Sequence, residues 1–227
     1  MNILVIGPGD ETGKFGRDFC DLAQAAGHTV RTISHLSAYR KVIGYDKSVT
    51  ADFSDFNSMS NAFDKATFGL DHLDMMLYNS KYSGRINDRT VKLFTEKTVI
   101  PVKEYTDALQ VQVICPHFFT IKTLSKMSAG SRIIFMTTGL TYSLDPDNTN
   151  KSEYAYLVGY AGSKSFQNML MLGLAYHNDK GIIATSVSPH FPYEDTEKYQ
   201  KTLTNTYNRI MLVNEADNGT LIRIGKI

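Results

Sequence analysis

Asn2-Ile3-Leu4-Val5-Ile6-Gly7-Pro8-Gly9-Asp10-Glu11-Thr12-Gly13-Lys14-Phe15-Gly16 opens the chain, and its reading decides the fold. A short, unbroken apolar run ending in glycine is the pattern of a parallel strand buried on both faces. After the glycines comes a helical stretch with Phe15, Phe19, Leu22 and Ala23 inside. Gly27 stops that helix, and His28 to Ile33 form a second strand. Strand, glycine-rich turn, helix, strand is how a dinucleotide-binding domain begins. The glycines let the backbone approach a pyrophosphate, and the helix N-terminus attracts its charge. Gly9, Gly13 and Gly16 are spaced G-x3-G-x2-G, so the turn is longer than the usual forms. A tight strand-to-helix crossing with no ligand would also use glycines there.

The end of the second strand bears on cofactor choice. A site for NAD places an acidic residue there, to bind the ribose 2′-hydroxyl. Ser34-His35 supplies none, while His35, Arg40 and Lys41 follow closely. Positive charge at that spot suits a 2′-phosphate and favours NADP(H) over NAD(H); a solvated basic loop is the plain alternative for Arg40 and Lys41.

Farther along, strands and helices alternate. Ser48 to Phe53 is a third strand, and Ser54-Asp55 caps a helix from Phe56 to Ala66. Leu73 to Asn79 is a fourth strand. Residues 80–100 are polar and carry no clear pattern. Val102 to Met127 reads as one long helix that Pro116 should kink or break. Arg132 to Thr138 is the fifth strand, Asp145 to Ser152 a polar loop, Gly181 to Val187 the sixth strand ending in Ser188-Pro189, and Gly219 to Ile224 a seventh. Such alternation predicts a Rossmann-type, doubly wound parallel sheet of about seven strands with helices on both faces.

Composition narrows the possibilities. The 227 residues, 42% of them hydrophobic, suit one domain spanning 1–227, with no internal repeat or linker. A net charge of +1, without long blocks of either sign, argues against a nucleic-acid or membrane surface. No apolar run approaches the roughly 20 residues a bilayer requires. Cys20 and Cys115 form neither a CxxC nor a metal spacing, so reduced thiols are expected. Met1-Asn2 leads directly into a strand, with no charged leader, so the expected location is cytoplasmic.

Tyr160-Ala161-Gly162-Ser163-Lys164 lies within a run, Gly159 to Tyr176, that reads as helix. Residues four apart share a helix face, so the phenol and the ammonium stand in one column. A phenol titrates near 10, and a fixed cation beside it favours the phenolate. Such a tyrosine can exchange a proton with a substrate oxygen. Among 13 tyrosines, one such spacing is also expected by chance.

With these landmarks in order, the chain resembles the short-chain dehydrogenase/reductases over nearly its whole length. Gly7 to Gly16 stands where the family has its cofactor turn, and Ala51-Asp52-Phe53-Ser54-Asp55 resembles the segment flanking the adenine. The strand ending at Tyr78-Asn79-Ser80 resembles the one closing on Asn-Asn-Ala-Gly. Tyr160 to Lys164 matches the catalytic Tyr-x3-Lys helix, and Ser188-Pro189-His190 the Pro-Gly turn beside the nicotinamide.

The resemblance implies cofactor contacts from Gly7, Gly9, Gly13, Phe15, Gly16, Ser34, His35, Asp52, Phe53, Asn79, Tyr160, Lys164 and Pro189. It implies catalytic roles for Tyr160 as general acid/base and Lys164 as its electrostatic partner. Thr138 stands where the family's serine would be, 22 residues before Tyr160, with Thr137 and Ser143 as substitutes. Gln112 takes the place of the helix asparagine in the proton relay. Tyr78 replaces an asparagine, and His190 a glycine, adding bulk where the nicotinamide should pass.

The implied activity is an NADP(H)-dependent oxidoreductase acting on a small carbonyl or alcohol, assembled as a homodimer or homotetramer. The alternative is a catalytically degenerate relative that binds dinucleotide as a sensor or scaffold. The substrate stays unnamed. In this family it is shaped by the segment after the sixth strand, here Phe191 to Asn208, which reads as a short, tyrosine-bearing cover.

Overall fold

The computed structural model describes residues 1–9, 14–36, 47–80, 101–137 and 158–225, with 158–160 described by backbone alone. Its centre is a parallel sheet of seven strands: β1 (Asn2–Ile6), β2 (Thr29–His35), β3 (Lys47–Ala51), β4 (Met75–Tyr78), β5 (Arg132–Met136), β6 (Ile183–Pro189) and β7 (Thr220–Ile224). They lie in the order β3-β2-β1-β4-β5-β6-β7. The chain winds outward from β1 to β3, then crosses back to β4 on the other side of β1. The doubly wound fold anticipated from the alternating pattern is therefore present.

Side-chain alternation along the strands builds a separate core on each face. Leu4, Ile6, Ile33, Met76, Ile133, Phe135 and Ala184 face one way, against α2 (Phe56–Thr67), α4 (Cys115–Leu124) and α5 (Val158–His177). Ile3, Val5, Val30, Leu77, Ile134, Met136 and Val187 face the other, against α1 (Lys14–Ala25) and α6 (Thr196–Met211). Cys20 and Cys115 are buried and free. Asp55 caps α2 as expected, its carboxylate accepting from the Asn57 N–H at 2.8 Å.

Two elements differ from the sequence reading. The single long helix predicted for Val102 to Met127 is a composite: α3 (Val102–Leu109), a π-helical segment (Gln110–Ile114) and α4, which ends at Leu124. Pro116 offers no N–H to the helix, and the π turn stands immediately before it, the Cys115 N–H bonding the Gln110 carbonyl five residues back. The chain stays helical across the proline rather than breaking.

The second difference is α6, where the sequence suggested only a short cover. Asp195 caps it, accepting from the Lys198 N–H at 3.0 Å. Tyr199, Leu203, Thr206 and Ile210 make a buried stripe at helical spacing. Tyr199 and Thr206 among them hide that stripe from a reading based on apolar residues alone.

Candidate active site

The first strand-to-helix turn fixes one wall. Gly7 has φ +73°, and its N–H donates to the Ile33 carbonyl at 2.8 Å. A Cβ there would lie 2.4 Å from Ser80 Oγ, and one at Gly16 would lie 2.6 Å from Asn79 Nδ2 and 2.7 Å from the Pro8 carbonyl. Both glycines are thus required by the seating of the turn on the end of β4, whatever else they do. Asn79 completes the joint, its amide donating to the Gly7 carbonyl at 2.9 Å.

α1 begins at Lys14 with no acidic residue in its first turn. It starts past the C-terminal end of β1, at the point where the strand order reverses. That is where an open parallel sheet receives a dinucleotide, and a helix N-terminus there suits its pyrophosphate. The chain therefore fits the cofactor at this corner. The Phe15 side chain does not take part: it is buried between Phe19 and Phe191, with centroids 5.9 and 5.0 Å away. Gly9 is partly buried, and Gly13 lies outside the described residues.

At the end of β2, Ser34 is buried and the His35 ring sits edge-on to Phe53 at 5.1 Å. Burial pushes the His35 pKa below its usual 6.5, although Asp52 and Asp107 pull the other way. Burial thus works against a positive charge on His35, and Arg40 and Lys41 lie outside the described residues. Asp52 accepts from the Ser54 N–H and hydroxyl at 2.8 and 2.7 Å, which holds its carboxyl below the ordinary range. Phe53 is fully buried.

Lys164 lies at the centre. It is only 2% exposed. Its Nζ donates to the Met136 carbonyl at 2.8 Å, to Gln167 Oε1 at 3.0 Å and, more weakly, to the Ser80 carbonyl at 3.4 Å. Two of these acceptors belong to main chain just at or beyond the C-terminal ends of β4 and β5. Burying an ammonium is costly unless hydrogen bonds compensate it, and here they do. Tyr160 stands one helical turn earlier on α5, in the described backbone; its side chain lies outside the description.

Around Lys164 the expected residues divide. Gln112 is fully buried in the π-helical segment, and neither its amide oxygen nor its amide nitrogen has a hydrogen-bond partner. Unsatisfied buried amides are rare, and π turns recur at functional sites. Thr137 continues β5, its N–H donating to the Val187 carbonyl at 2.8 Å, with its buried hydroxyl unpartnered. Thr138 and Ser143 lie outside the described residues. Pro189 ends β6 opposite Ile224. His190 is exposed, its N–H bonding the Ile224 carbonyl at 3.0 Å, so its side chain does not fill the interior next to the strand end. Among the described residues, no cluster of metal-ligating side chains occurs and no helix is long and apolar enough to cross a membrane.

Sequence reasoning missed Gln167 and the anchoring role of Tyr78, whose hydroxyl donates to the Val111 carbonyl. A polar residue three positions after Lys164, and so on its helix face, was the available signal for the first. For Tyr78 the signal was a tyrosine closing a wholly apolar strand.

No protein-family model matches the sequence, and no curated protein matches it. Solved structures do. A double mutant of the Serratia marcescens short-chain dehydrogenase/reductase superposes with a TM-score of 0.72 at 17% identity, covering 98% of this chain and 95% of the other. A short-chain dehydrogenase from Burkholderia cenocepacia in complex with NADP gives 0.69 at 19% identity, covering 98% and 95%. BdcA of E. coli, solved in complex with NADPH, gives 0.70 at 17% identity, covering 98% and 92%. Strand order, the helices on both faces and this likeness along the whole chain agree: the protein has the short-chain dehydrogenase/reductase fold.

Proposed function

We propose that the chain is a divergent short-chain dehydrogenase/reductase that uses NADP(H) to interconvert a small carbonyl compound and its alcohol. The observation carrying this reading is the placement of Lys164: an ammonium withdrawn from solvent, fixed to main chain at or just past the ends of β4 and β5, one turn from Tyr160. Lysines are seldom fully buried unless paired. NADP(H), when bound, supplies or accepts the hydride. In the reductive direction Tyr160 gives its proton to the substrate oxygen, and Lys164 keeps that phenol acidic. A threonine hydroxyl at the end of β5, from Thr138 or Thr137, donates to the same oxygen. Gln112 presents its unpaired amide to a water path behind Lys164. These are effects of position and proton affinity.

Support for the cofactor comes from the similar proteins solved with NADP or NADPH and from the absence of an acid at Ser34-His35. NADP(H) is accordingly preferred to NAD(H). Two buried, unpaired thiols suit a reducing cytoplasm. Assembly follows from the outer surface of α3, α4 and α5. Tyr105, Leu109, Ile121, Phe166 and Met169 are exposed there, and a groove of about 500 Å³ runs between α4 and α5. A second copy meeting this face across a two-fold axis gives a homodimer. The reading is tested by NADPH oxidation against a panel of aldehydes and ketones. NADPH binding with no turnover on any of them would favour the sensor or scaffold.

A further inference from the structure

Gln167 was not anticipated, and its environment is unusual. It is fully buried on α5, three residues after Lys164. Its Oε1 accepts from Lys164 Nζ at 3.0 Å, while its Nε2 is buried without a partner. Leaving an amide nitrogen unsatisfied in the interior costs free energy. A Leu or Met there would avoid that cost. The residue is therefore kept at a net cost to the core, and the contact it does make is with the ammonium.

The other acceptors of Lys164 explain what this contact adds. The carbonyls of Met136 and Ser80 are fixed by strand ends and draw the ammonium towards the sheet. Gln167, on the same helix face, adds a third direction of restraint, and it also compensates the charge of an ammonium that water does not reach.

We propose that Gln167 is a positioning residue, which acts through Lys164 to hold its ammonium where the cofactor ribose and the Tyr160 phenol require it. This rests on the dinucleotide-binding reading of the site. Its consequence is a coupling between two side chains, which a purely structural glutamine would not show.

The experiment is a double-mutant cycle read by NADPH affinity in a fluorescence titration, with thermal unfolding as folding control. Wild type, Gln167→Met, Lys164→Met and the double variant are compared. In the wild-type background Gln167→Met should weaken NADPH about tenfold, as loss of a hydrogen bond to a charged group does. In the Lys164→Met background the same change should alter affinity less than about twofold. Gln167→Glu retains the acceptor oxygen and should bind NADPH within about threefold of wild type, which keeps the test available if Gln167→Met does not fold. Equal losses in both backgrounds, or a Glu variant as impaired as the Met variant, would overturn the role of Gln167 alone. If Lys164→Met binds NADPH like wild type, or wild type binds none, the cofactor reading itself fails and the inference goes with it.

Discussion

The Tyr78 hydroxyl donates to the Val111 carbonyl, tying the last residue of β4 to the middle of the π-helical segment. Burial raises the pKa of this phenol well above its ordinary range, which favours the protonated donor. Val111 precedes Gln112, whose unpaired amide faces the interior beside α5. Tyr78 thus joins the sheet to the helical segment that bears Gln112.

Removing that one hydroxyl tests the link. Tyr78→Phe keeps the ring, which is 0% exposed in the core, and deprives a partly buried carbonyl of its partner. The loss should be about 1–3 kcal/mol of stability in denaturant unfolding. Turnover should fall as well, because Gln112 loses its register; a variant as stable and active as wild type would show the bond to be idle.

Cofactor choice has a direct measurement. NADPH should bind more tightly than NADH in parallel titrations near pH 7.5, if Arg40 and Lys41 supply the charge proposed for them. Replacing both by Gln should narrow the difference. Equal affinities in the wild type would remove the preference.

The pH dependence of stability follows from His35 and Asp217. The folded-state pKa of His35 lies below its unfolded value, so its contribution is present above about 6.5 and fades as pH falls through the folded value. His35→Gln should therefore lose stability less steeply than wild type on acidification below 6.5. Asp217 accepts a two-pronged bond from Arg209, which depresses its carboxyl. That contribution is present above the ordinary carboxylate pKa of about 3.9 and lost as pH falls through the lower, folded value. At pH 7, Asp217→Asn should cost about 1 kcal/mol, a modest figure because the guanidinium is partly exposed.

Thiol chemistry should report burial. Burial pushes the Cys115 thiol up to about 12 and raises Cys20 as well. Neither should react with a thiol reagent at pH 8 until the protein unfolds, and both should then react. Rapid labelling of the native protein would contradict their placement in the core.

Light scattering at tens of micromolar tests assembly. A dimer mass is expected, and Met169→Glu, which puts a charge on the exposed face of α5, should shift it to monomer.

How much of this was legible in the sequence depended on the kind of signal. Strands with unbroken apolar runs, such as Asn2 to Ile6 and Arg132 to Met136, declared themselves because both faces are covered. Asp55 and Gly27 marked helix ends through capping and a positive φ. The π turn before Pro116 was not legible, since the proline predicts a disturbance but not whether the helix breaks or widens. Nor was α6, whose stripe includes Thr206 and Tyr199. At the site, the spacing of Tyr160 and Lys164 could be read. The partners of Lys164 could not, because two of them are main-chain carbonyls from distant strands and the third, Gln167, belongs to none of the motifs read from the sequence. Thr138 and Gly13 lie outside the described residues.

The central claim is that Tyr160 transfers the proton and Lys164 keeps it acidic. Lys164→Met should displace any residual activity to higher pH, by about 1.4 kcal/mol of lost phenolate stabilisation per pH unit. The most direct measurement is NADPH oxidation with a carbonyl panel by wild type and Tyr160→Phe, with thermal unfolding alongside. Tyr160→Phe should keep the wild-type melting temperature within a few degrees and lose at least about a hundredfold in turnover. A folded Tyr160→Phe protein that turns over like wild type would contradict the account.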